Sequence, residues 1–382
     1  MSSIMNRTKY EDLLKDGFCA VRAKAYLQGL ENERRAGLFD SDYIQWAQSN
    51  GFKAWTCKMY GLEMGDSLDE YLSDYDYHRS FPLNSWERIW VNDKLTLKLI
   101  LNGTECSHLM PDYYYYSTPR GLMPLSDTPY GSSLTDFLAC LKKIGKFACK
   151  PNNGARASGF YVLEYLDDCF YINNQKASER EIIDFVENNP NYLYTEYLLP
   201  DEFWASYSDK VHTIRINTLN AHGDAPAIVN SHVRIPTSNC RVSNRVNYET
   251  AEEANLYVQI NHENGKMQNA TLCFASRFEK IDKHPDTKAP LDSFANGYKE
   301  CAEAALQVCH LLPNLEWLGF DFAVTNKGIK IMEINTHADH TVDQIGKPAR
   351  LRRIIAAYFE KKLSDIDNMT EAQRRQRNAI QR

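Results

Sequence analysis

The spacing of hydrophobic positions changes near Pro82, and this change divides the chain into two parts. Before it, apolar side chains recur every three or four residues, which predicts helices. From Tyr10 to Leu38 the recurring positions are Leu13, Leu14, Phe18, Val21, Tyr26 and Leu30. After it, short apolar or β-branched runs are bounded by Pro, Gly, Asn or Asp, which predicts strands. We therefore expect a helical N-terminal region over residues 1–90, followed by an α+β region with mixed sheets.

Several elements of the second part can be placed from the sequence. Strands are predicted over residues 147–150, 159–165, 192–198 and 212–219. Ser178 and Glu181 have the spacing of a capping box at the start of a helix over residues 178–188. Two further helices are predicted, one over residues 291–312 and one over residues 349–363. The last residues, 365–382, are polar, and we expect a frayed tail there.

The segment LGFDFAVTNKGIKIMEINTHADH, residues 318–340, is the most informative one. Two apolar runs flank a turn, and a three-residue loop ending at a left-handed Gly328 would close them as a hairpin. Thr325 then pairs with Ile329. Stepping back along both strands sets Asp321 directly opposite Glu333, so the two carboxylates share one face of the sheet.

Asn335 lies two residues after Glu333, so it belongs to the same face, opposite Gly319, which has no side chain. Two carboxylates and an amide oxygen are the ligands that Mg²⁺ takes when water and phosphates complete its shell. The alternative is a solvent-exposed polar face, but like charges opposite each other would repel without a cation. His337 and His340 suggest zinc instead; two nitrogens without a nearby cysteine make that the weaker hypothesis.

The segment FACKPNNGARASGF is the second candidate for chemistry. A strand ends at Lys150, and a turn of small residues leads through Gly159 into the next strand. Small residues let main-chain N–H groups approach a phosphate, and a lysine adds a mobile positive charge. A plain hairpin turn is the alternative. No P-loop, kinase or nucleophile-elbow motif occurs in the chain.

Composition and charge exclude several classes of protein. The 44 Lys and Arg residues and 50 Asp and Glu residues give a formal charge of −6 without a basic block, which argues against a nucleic-acid partner. No apolar run has the length of a membrane span, and acidic residues stand near the start where a signal peptide would be apolar. Ten cysteines without a CxxC pair indicate reduced thiols. We expect a cytoplasmic protein.

In their order along the chain, these elements resemble the ATP-grasp superfamily over about residues 85 to 363. Within it, the strings LMPDYYYYSTPRGL, ACKP, TEYL, TIR and KHPDT are most similar to the sugar-transfer-associated ATP-grasp proteins. The resemblance implies an ATP-grasp fold, in which two α+β subdomains clasp ATP. One would cover residues 91–195 and carry the phosphate loop, and the other would cover residues 196–364 and carry the metal site.

The resemblance also implies three groups of site residues. Those that contact the nucleotide are Lys94, Lys150, Ser158, Gly159, Glu196, Tyr197 and Leu198. Those that hold the transferring phosphoryl group are Arg215 and Arg234. The Mg²⁺ ligands are Asp321, Glu333 and Asn335.

The activity implied by the resemblance is an ATP-dependent ligation of a small-molecule carboxylate to an amine through an acyl phosphate. The substrates would be sugar-derived, a sugar acid or an amino sugar of a bacterial surface polysaccharide or capsule precursor, and the cofactors would be ATP and Mg²⁺. Two alternatives stay open: an ATP-grasp small-molecule kinase, and an inactive ATP-binding scaffold in polysaccharide assembly. The intact set of three metal ligands argues against the scaffold.

Overall fold

The computed structural model describes residues 9–154, 159–221, 225–240 and 253–380. Its N-terminal part is helical, as predicted, and the helices continue past residue 90. They are α1 (Tyr10–Lys15), α2 (Ala20–Ala36), α3 (Ser41–Ser49), α4 (Ala54–Met59), α5 (Asp74–Arg79), α6 (Ile89–Asn92) and α7 (Lys94–Asn102). None of the helices in these residues combines the length and the apolar character needed to span a bilayer.

A first sheet of seven strands follows. Its strands are β1 (Tyr113–Thr118), β2 (Gly121–Pro124), β3 (Lys146–Pro151), β4 (Tyr161–Leu166), β5 (Cys169–Ile172), β6 (Gln175–Ala177) and β7 (Tyr192–Glu196), in the order β2-β1-β7-β3-β4-β5-β6. Helices α8 (Leu134–Ile144) and α9 (Glu179–Asn188) contribute apolar side chains to the core on this sheet. The predicted capping box of α9 at Ser178 and Glu181 is confirmed.

The second sheet also has seven strands. They are β8 (Thr213–Leu219), β9 (Ala227–Ile235), β10 (Asn255–Ile260), β11 (Met267–Cys273), β12 (Phe278–Lys280), β13 (Trp317–Thr325) and β14 (Gly328–Asn335), in the order β12-β11-β10-β9-β8-β13-β14. The short helix α10 (Glu202–Ala205) precedes β8, and α11 (Tyr298–Leu311) packs on the apolar face. The predicted start of α11 at residue 291 was wrong, because the chain turns at Gly297, whose φ is +72°.

The α+β class is confirmed, but the expectation of mixed sheets was wrong. Every strand pairing among the described residues is antiparallel. The physical reason lies in the connections. Neighbours such as β4 and β5, or β13 and β14, are joined by turns of a few residues, and only antiparallel strands can be joined so closely.

The hairpin of β13 and β14 reaches the predicted register by a different route. Thr325 pairs with Gly328, so the turn has two residues rather than the predicted three. A β-bulge at Met332 then inserts one extra residue into β14, and beyond it Asp321 stands opposite Glu333 as predicted. The turn is one residue shorter than predicted and the bulge adds one residue, so the predicted pairing is kept. The left-handed conformation of Gly328 is confirmed, with φ of +92°.

The C-terminal residues fold back on the N-terminal helices. Helix α12 (Arg353–Asp367) starts and ends four residues later than predicted, and α13 (Glu371–Asn378) replaces the expected frayed tail. The guanidinium of Arg377 is buried and donates hydrogen bonds to the carbonyls of Gly17 and Phe81. The tail is therefore ordered by contacts with residues more than 290 positions away, which its own polar sequence does not reveal.

Candidate nucleotide and metal site

The carboxylates of Asp321 and Glu333 face each other on the second sheet, with Asn335 beside them. The amide nitrogen of Asn335 donates to Oδ2 of Asp321 at 3.3 Å and to Oε1 of Glu333 at 3.2 Å. Asn335 stands opposite Gly319, as predicted. A Cβ at position 319 would lie 2.3 Å from the Cβ of Ala338, so only glycine fits there.

Two arginines from neighbouring strands bind Asp321. Arg215 on β8 donates to both carboxylate oxygens, at 2.7 and 2.8 Å, and Arg234 on β9 donates to Oδ1 at 3.1 Å. All three side chains are more than nine-tenths buried. The family resemblance implied that both arginines hold a phosphoryl group. In the structure both arginines also bind Asp321, which is one of the proposed metal ligands.

The pKa values of the two facing carboxyl groups shift in opposite directions. Burial disfavours the charged form of Asp321, but Arg215 and Arg234 outweigh it and hold the pKa of this carboxyl below its usual range. The pKa of Glu333 is raised, first by burial and then by the charge of Asp321, while Lys94 opposes the increase. The charged form is therefore favoured more strongly at Asp321 than at Glu333.

Lys94 reaches the carboxylate pair from the N-terminal helices. We expected Lys94 to contact the nucleotide; it is the first residue of α7, whose N-cap is Asp93. Its ammonium group donates to the carbonyl of Gly154 at 2.9 Å and lies 3.8 Å from Oε2 of Glu333. The lysine therefore links the turn after β3 to the hairpin of β13 and β14.

Asn152 holds that turn against α7 and was not singled out by the sequence reasoning. Its side-chain oxygen accepts from the N–H of Leu95 at 2.8 Å, and its amide nitrogen donates to Asp93 at 2.5 Å. The side chain is buried. An asparagine in a Pro-Asn-Asn-Gly turn is ordinary in composition, so the sequence carried no sign of this contact.

Lys150 lies on β3 with its ammonium group 5.7 Å from the ring centre of Tyr113. Burial lowers its pKa to about 8, with the positive charge of Lys94 adding to the decrease and Glu333 opposing it. Because its pKa lies near neutral pH, the charged form of this lysine would be stabilised by a negative group in addition to Glu333. The phosphates of a nucleotide would supply one.

The phosphate-loop candidates are only partly described. Ser158 lies outside the described residues. Gly159 has φ of +74°, and a Cβ at this position would lie 2.6 Å from the hydroxyl of Tyr192 and 3.1 Å from Pro151. Both the conformation and the space require glycine.

The adenine-linker candidates connect the two sheets. Glu196 is buried, and its carboxylate accepts a hydrogen bond from Lys327 of the hairpin turn at 2.6 Å. Its own N–H donates to the carbonyl of Asp112 at 2.8 Å and is therefore already in use. Among the described residues the main chain of Tyr197 and Leu198 makes no hydrogen bond. Within the described ranges, the main-chain N–H of Glu196 is therefore committed, whereas those of Tyr197 and Leu198 are not.

His337 and His340 flank the ring of Tyr77 instead of converging on one point. Their ring centres lie 4.2 and 4.1 Å from that of Tyr77. Burial lowers the pKa of both imidazoles. The described ranges contain no group of three His, Cys, Asp or Glu side chains arranged to hold a metal ion. The zinc hypothesis has no support, and a metal at Asp321 and Glu333 would rest on two carboxylates and one amide.

The sequence profile of the family described as Sugar-transfer associated ATP-grasp matches residues 85–357. A search of curated protein sequences found no match. Among solved structures, the chain is similar to D-alanine-D-alanine ligase from Coxiella burnetii, with 14% identity, a TM-score of 0.39, and coverage of 78% of this chain and 64% of that one.

Two other enzymes show comparable similarity. D-alanyl-alanine synthetase A from Vibrio cholerae has 14% identity, a TM-score of 0.40 and coverage of 72% and 66%. N5-carboxyaminoimidazole ribonucleotide synthetase from Thermotoga maritima has 11% identity, a TM-score of 0.35 and coverage of 74% and 50%. The chain thus spans between half and two thirds of the length of these enzymes. The likenesses are distant, and the family assignment rests on the sequence match.

Proposed function

Because the chain belongs to the sugar-transfer-associated ATP-grasp family, we propose that it is an ATP-dependent carboxylate–amine ligase that works through an acyl phosphate. Its substrates are a small-molecule carboxylate and an amine, one of them a sugar acid or an amino sugar of a bacterial surface polysaccharide precursor. The reaction takes place in the cytoplasm, where ATP is available.

One observation carries this proposal: four cationic side chains and two carboxylates meet between the two sheets. The cations are Lys94, Lys150, Arg215 and Arg234, and the carboxylates are Asp321 and Glu333. The cluster has a formal excess of two positive charges. A nucleoside triphosphate with one divalent cation carries two negative charges near neutral pH, so the cluster and its ligand are electrostatically matched.

The residues present fit a magnesium ion that arrives with the nucleotide. The amide nitrogen of Asn335 lies between the carboxylates of Asp321 and Glu333, the position where a cation would satisfy both. Rotating that amide would turn its oxygen inward and complete a set of hard oxygen ligands. Asp321, Glu333 and Asn335 would hold the ion, and it would supply positive charge to offset the negative charge of the phosphates.

The chain's own residues position the reactants and offset negative charge. Lys94 and Lys150 hold the nucleotide phosphates from the turn after β3. Arg215 and Arg234 lie beside Asp321, where they contact the phosphoryl group as it passes to the substrate carboxylate. Phosphorylation supplies the leaving group that a carboxylate lacks, and the amine then displaces phosphate. No side-chain nucleophile is needed.

The test is a search for the acyl phosphate. The full chain is incubated with ATP, Mg²⁺, hydroxylamine and each of a panel of uronic acids, and hydroxamate and ADP are measured. A ligase gives a hydroxamate with its acid, because hydroxylamine traps the acyl phosphate. ADP with a phosphorylated acceptor that is stable to hydroxylamine indicates the kinase instead. Absence of acid-dependent ATP turnover across the panel contradicts the proposal.

A further inference from the structure

The loop after β14 runs along the face of the second sheet that carries the candidate site. Its Ala338 lies against Gly319 of β13, where a Cβ would be 2.3 Å from the Cβ of Ala338. Gly319 is two residues from Asp321 and belongs to the same face. From the N-terminal helices, the hydroxyl of Tyr77 donates to the carbonyl of Ala338. The next residue, Asp339, therefore lies at the border between the candidate site and the N-terminal helices.

Asp339 presents its carboxylate to an open cleft. The side chain is 71% exposed. Burial raises the pKa of three tyrosines, and the negative charge of Asp339 adds to each increase. They are Tyr60 at the end of α4, Tyr77 on α5 and Tyr257 on β10. The carboxylate thus acts on hydroxyl groups of the N-terminal helices and of the second sheet while it stays in contact with solvent.

This carboxylate is ionised at neutral pH, and one of its oxygens is free. Oδ1 of Asp339 accepts hydrogen bonds from the main-chain N–H and the hydroxyl of Thr341, at 2.7 and 2.6 Å. Burial raises the pKa of the carboxyl, but the charge that His340 gains in acid and the bonds from Thr341 lower it to about 2. Oδ2 makes no hydrogen bond within the described ranges. One anionic oxygen is therefore left for a ligand.

His340 supplies a second acceptor beside the carboxylate. Its Nε2 lies 3.2 Å from the carbonyl of Leu72, which can only accept, so Nε2 carries the hydrogen of the neutral imidazole. Nδ1 is buried, has no hydrogen-bond partner among the described residues and lies 4.0 Å from Oδ1 of Asp339. Burial lowers the pKa of His340, which favours this neutral form. An unpartnered buried acceptor next to a carboxylate marks a place where an N–H donor belongs.

The neighbouring carboxylates in the described part of the chain already have partners. They are Asp321 with Arg215 and Arg234, Glu333 with Lys94, Asp343 with His232 and Asn217, and Asp74 with Lys53. Two further cations of this region are engaged as well, Arg352 with Asn230 and Arg22 over the ring of Phe81. Among the described residues no lysine or arginine lies within 4 Å of the carboxylate of Asp339, whose one partner in that range is His340.

Tyr257 connects this carboxylate with the phosphoryl-binding residues. It stands directly opposite Arg234 on the neighbouring strand. Burial raises the pKa of its hydroxyl, the positive charge of Arg234 opposes the increase, and the negative charge of Asp339 adds to it. One hydroxyl group therefore senses both charges, so Asp339 lies close to a residue proposed to hold the acyl phosphate.

We propose that Asp339 binds the ammonium group of the acceptor substrate, with His340 beside it as a second acceptor, and that the acceptor carries a free primary amine rather than an acylated one. The assignment rests on the proposed ligase function. An amine that approaches the acyl phosphate meets cations, which are Lys94, Lys150, Arg215 and Arg234. A carboxylate without a lysine or arginine partner offsets their repulsion and holds the nitrogen near the site of attack.

The first test is binding, which needs no turnover. Glucosamine, galactosamine, mannosamine, ethanolamine and free lysine are titrated calorimetrically into the full chain with Mg²⁺ and a non-hydrolysable ATP analogue. Each is compared with its N-acetyl derivative, which has no positive charge on that nitrogen. At least one free amine should bind about fivefold or more tightly than its derivative. Equal binding in all five pairs overturns the assignment.

Asp339→Asn separates charge from shape in the same measurement. The substitution removes the negative charge and keeps the size of the side chain, so the preference for the free amine should fall to about twofold or less. Asp209→Asn, an exposed change before β8, is the matched control and should leave the preference unchanged. A preference that persists in Asp339→Asn comes from the shape of the cleft and overturns the assignment.

A kinetic comparison separates amine binding from support of the fold. Hydroxylamine is largely unprotonated at neutral pH, so it needs no carboxylate partner. In Asp339→Asn, the KM for the acceptor amine should rise about fivefold or more while hydroxamate formation stays within a few-fold of wild type. An equal loss of both products overturns the amine assignment. Failure of the wild-type chain to form any hydroxamate contradicts the ligase function instead, and the binding comparison then decides the role of Asp339 by itself.

Discussion

Arg215 binds both carboxylate oxygens of Asp321, at 2.7 and 2.8 Å, across two neighbouring strands that lie 106 residues apart in the sequence. Asp321 is a proposed metal ligand and Arg215 is proposed to bind the phosphoryl group, so this pair connects the two parts of the site. A nucleotide with its metal ion would compete for both partners at once. The pair therefore maintains an ordered site before the substrates arrive.

We expect Arg215→Lys to separate catalysis from nucleotide binding. Lysine keeps the positive charge but loses the planar fork that matches a carboxylate or a phosphoryl group. The variant should bind ATP within a few-fold of wild type and lose about 100-fold or more of its turnover, because the missing contacts act in the transition state. Isothermal titration and an ADP assay measure the two effects.

Arg215→Ala is the more severe substitution at the same position. It leaves Asp321 buried with one arginine fewer, and breaking a buried pair in this way costs about 3–5 kcal/mol of the free energy of unfolding. Urea denaturation should show that loss in Arg215→Ala and a much smaller one in Arg215→Lys. Full turnover in the lysine variant would show that the fork is not used in the reaction.

Glu333→Gln should abolish most ATP turnover while the fold survives. The substitution removes one of two negative charges proposed to hold the metal, and the side chain keeps its shape and its place at the edge of the cleft. We expect turnover to fall by about two or more orders of magnitude, with a change in the free energy of unfolding of about 0.5 kcal/mol or less. The exposed variant Glu303→Gln is the control. Turnover near wild type in Glu333→Gln would refute the metal assignment.

ATP affinity should decrease as the pH rises above 8. The pKa of Lys150 is about 8 in the nucleotide-free protein, and bound phosphates would raise it. Below that value the ammonium is already formed. Above it, binding must take up a proton, so the dissociation constant should rise by up to about tenfold per pH unit. Calorimetry in buffers of different ionisation enthalpy measures the proton uptake.

Lys150→Arg provides the control for this pH dependence. A guanidinium stays protonated throughout the range, so the proton uptake near pH 8 should disappear. An unchanged uptake in the arginine variant would assign the titration to another group.

Gly319→Ala should destabilise the protein, because the new methyl group has no space. It would lie 2.3 Å from the Cβ of Ala338 and 2.7 Å from the side-chain oxygen of Asn217. We expect a loss of about 1–3 kcal/mol in the free energy of unfolding. Gly103→Ala, where no atom lies within 4 Å of the new Cβ, should change it by about 0.5 kcal/mol or less. Equal stability of the two variants would contradict the tight packing at position 319.

The sequence alone determined the features that depend on near neighbours. The two-residue period of β13 and β14 placed Asp321 opposite Glu333 and Asn335 opposite Gly319, and the spacing of Ser178 and Glu181 predicted the start of α9. These are local rules of strand alternation and helix capping, and the residues that obey them are close in the chain. The predicted turn was one residue too long, but the bulge in β14 restores the predicted pairing of Asp321 with Glu333. The apolar side chains thereby stay on the buried face.

Only the tertiary structure decided which distant residues meet. Lys94 reaches Glu333 from the start of α7, Asp343 holds His232 from a separate loop, and α13 is ordered by carbonyls of the N-terminal region. Each contact joins segments that are more than 100 residues apart in the chain and depends on how whole elements pack. Propensity and periodicity predict which element a segment forms and which of its faces is apolar. Which other element packs against that face depends on the folding of the entire chain.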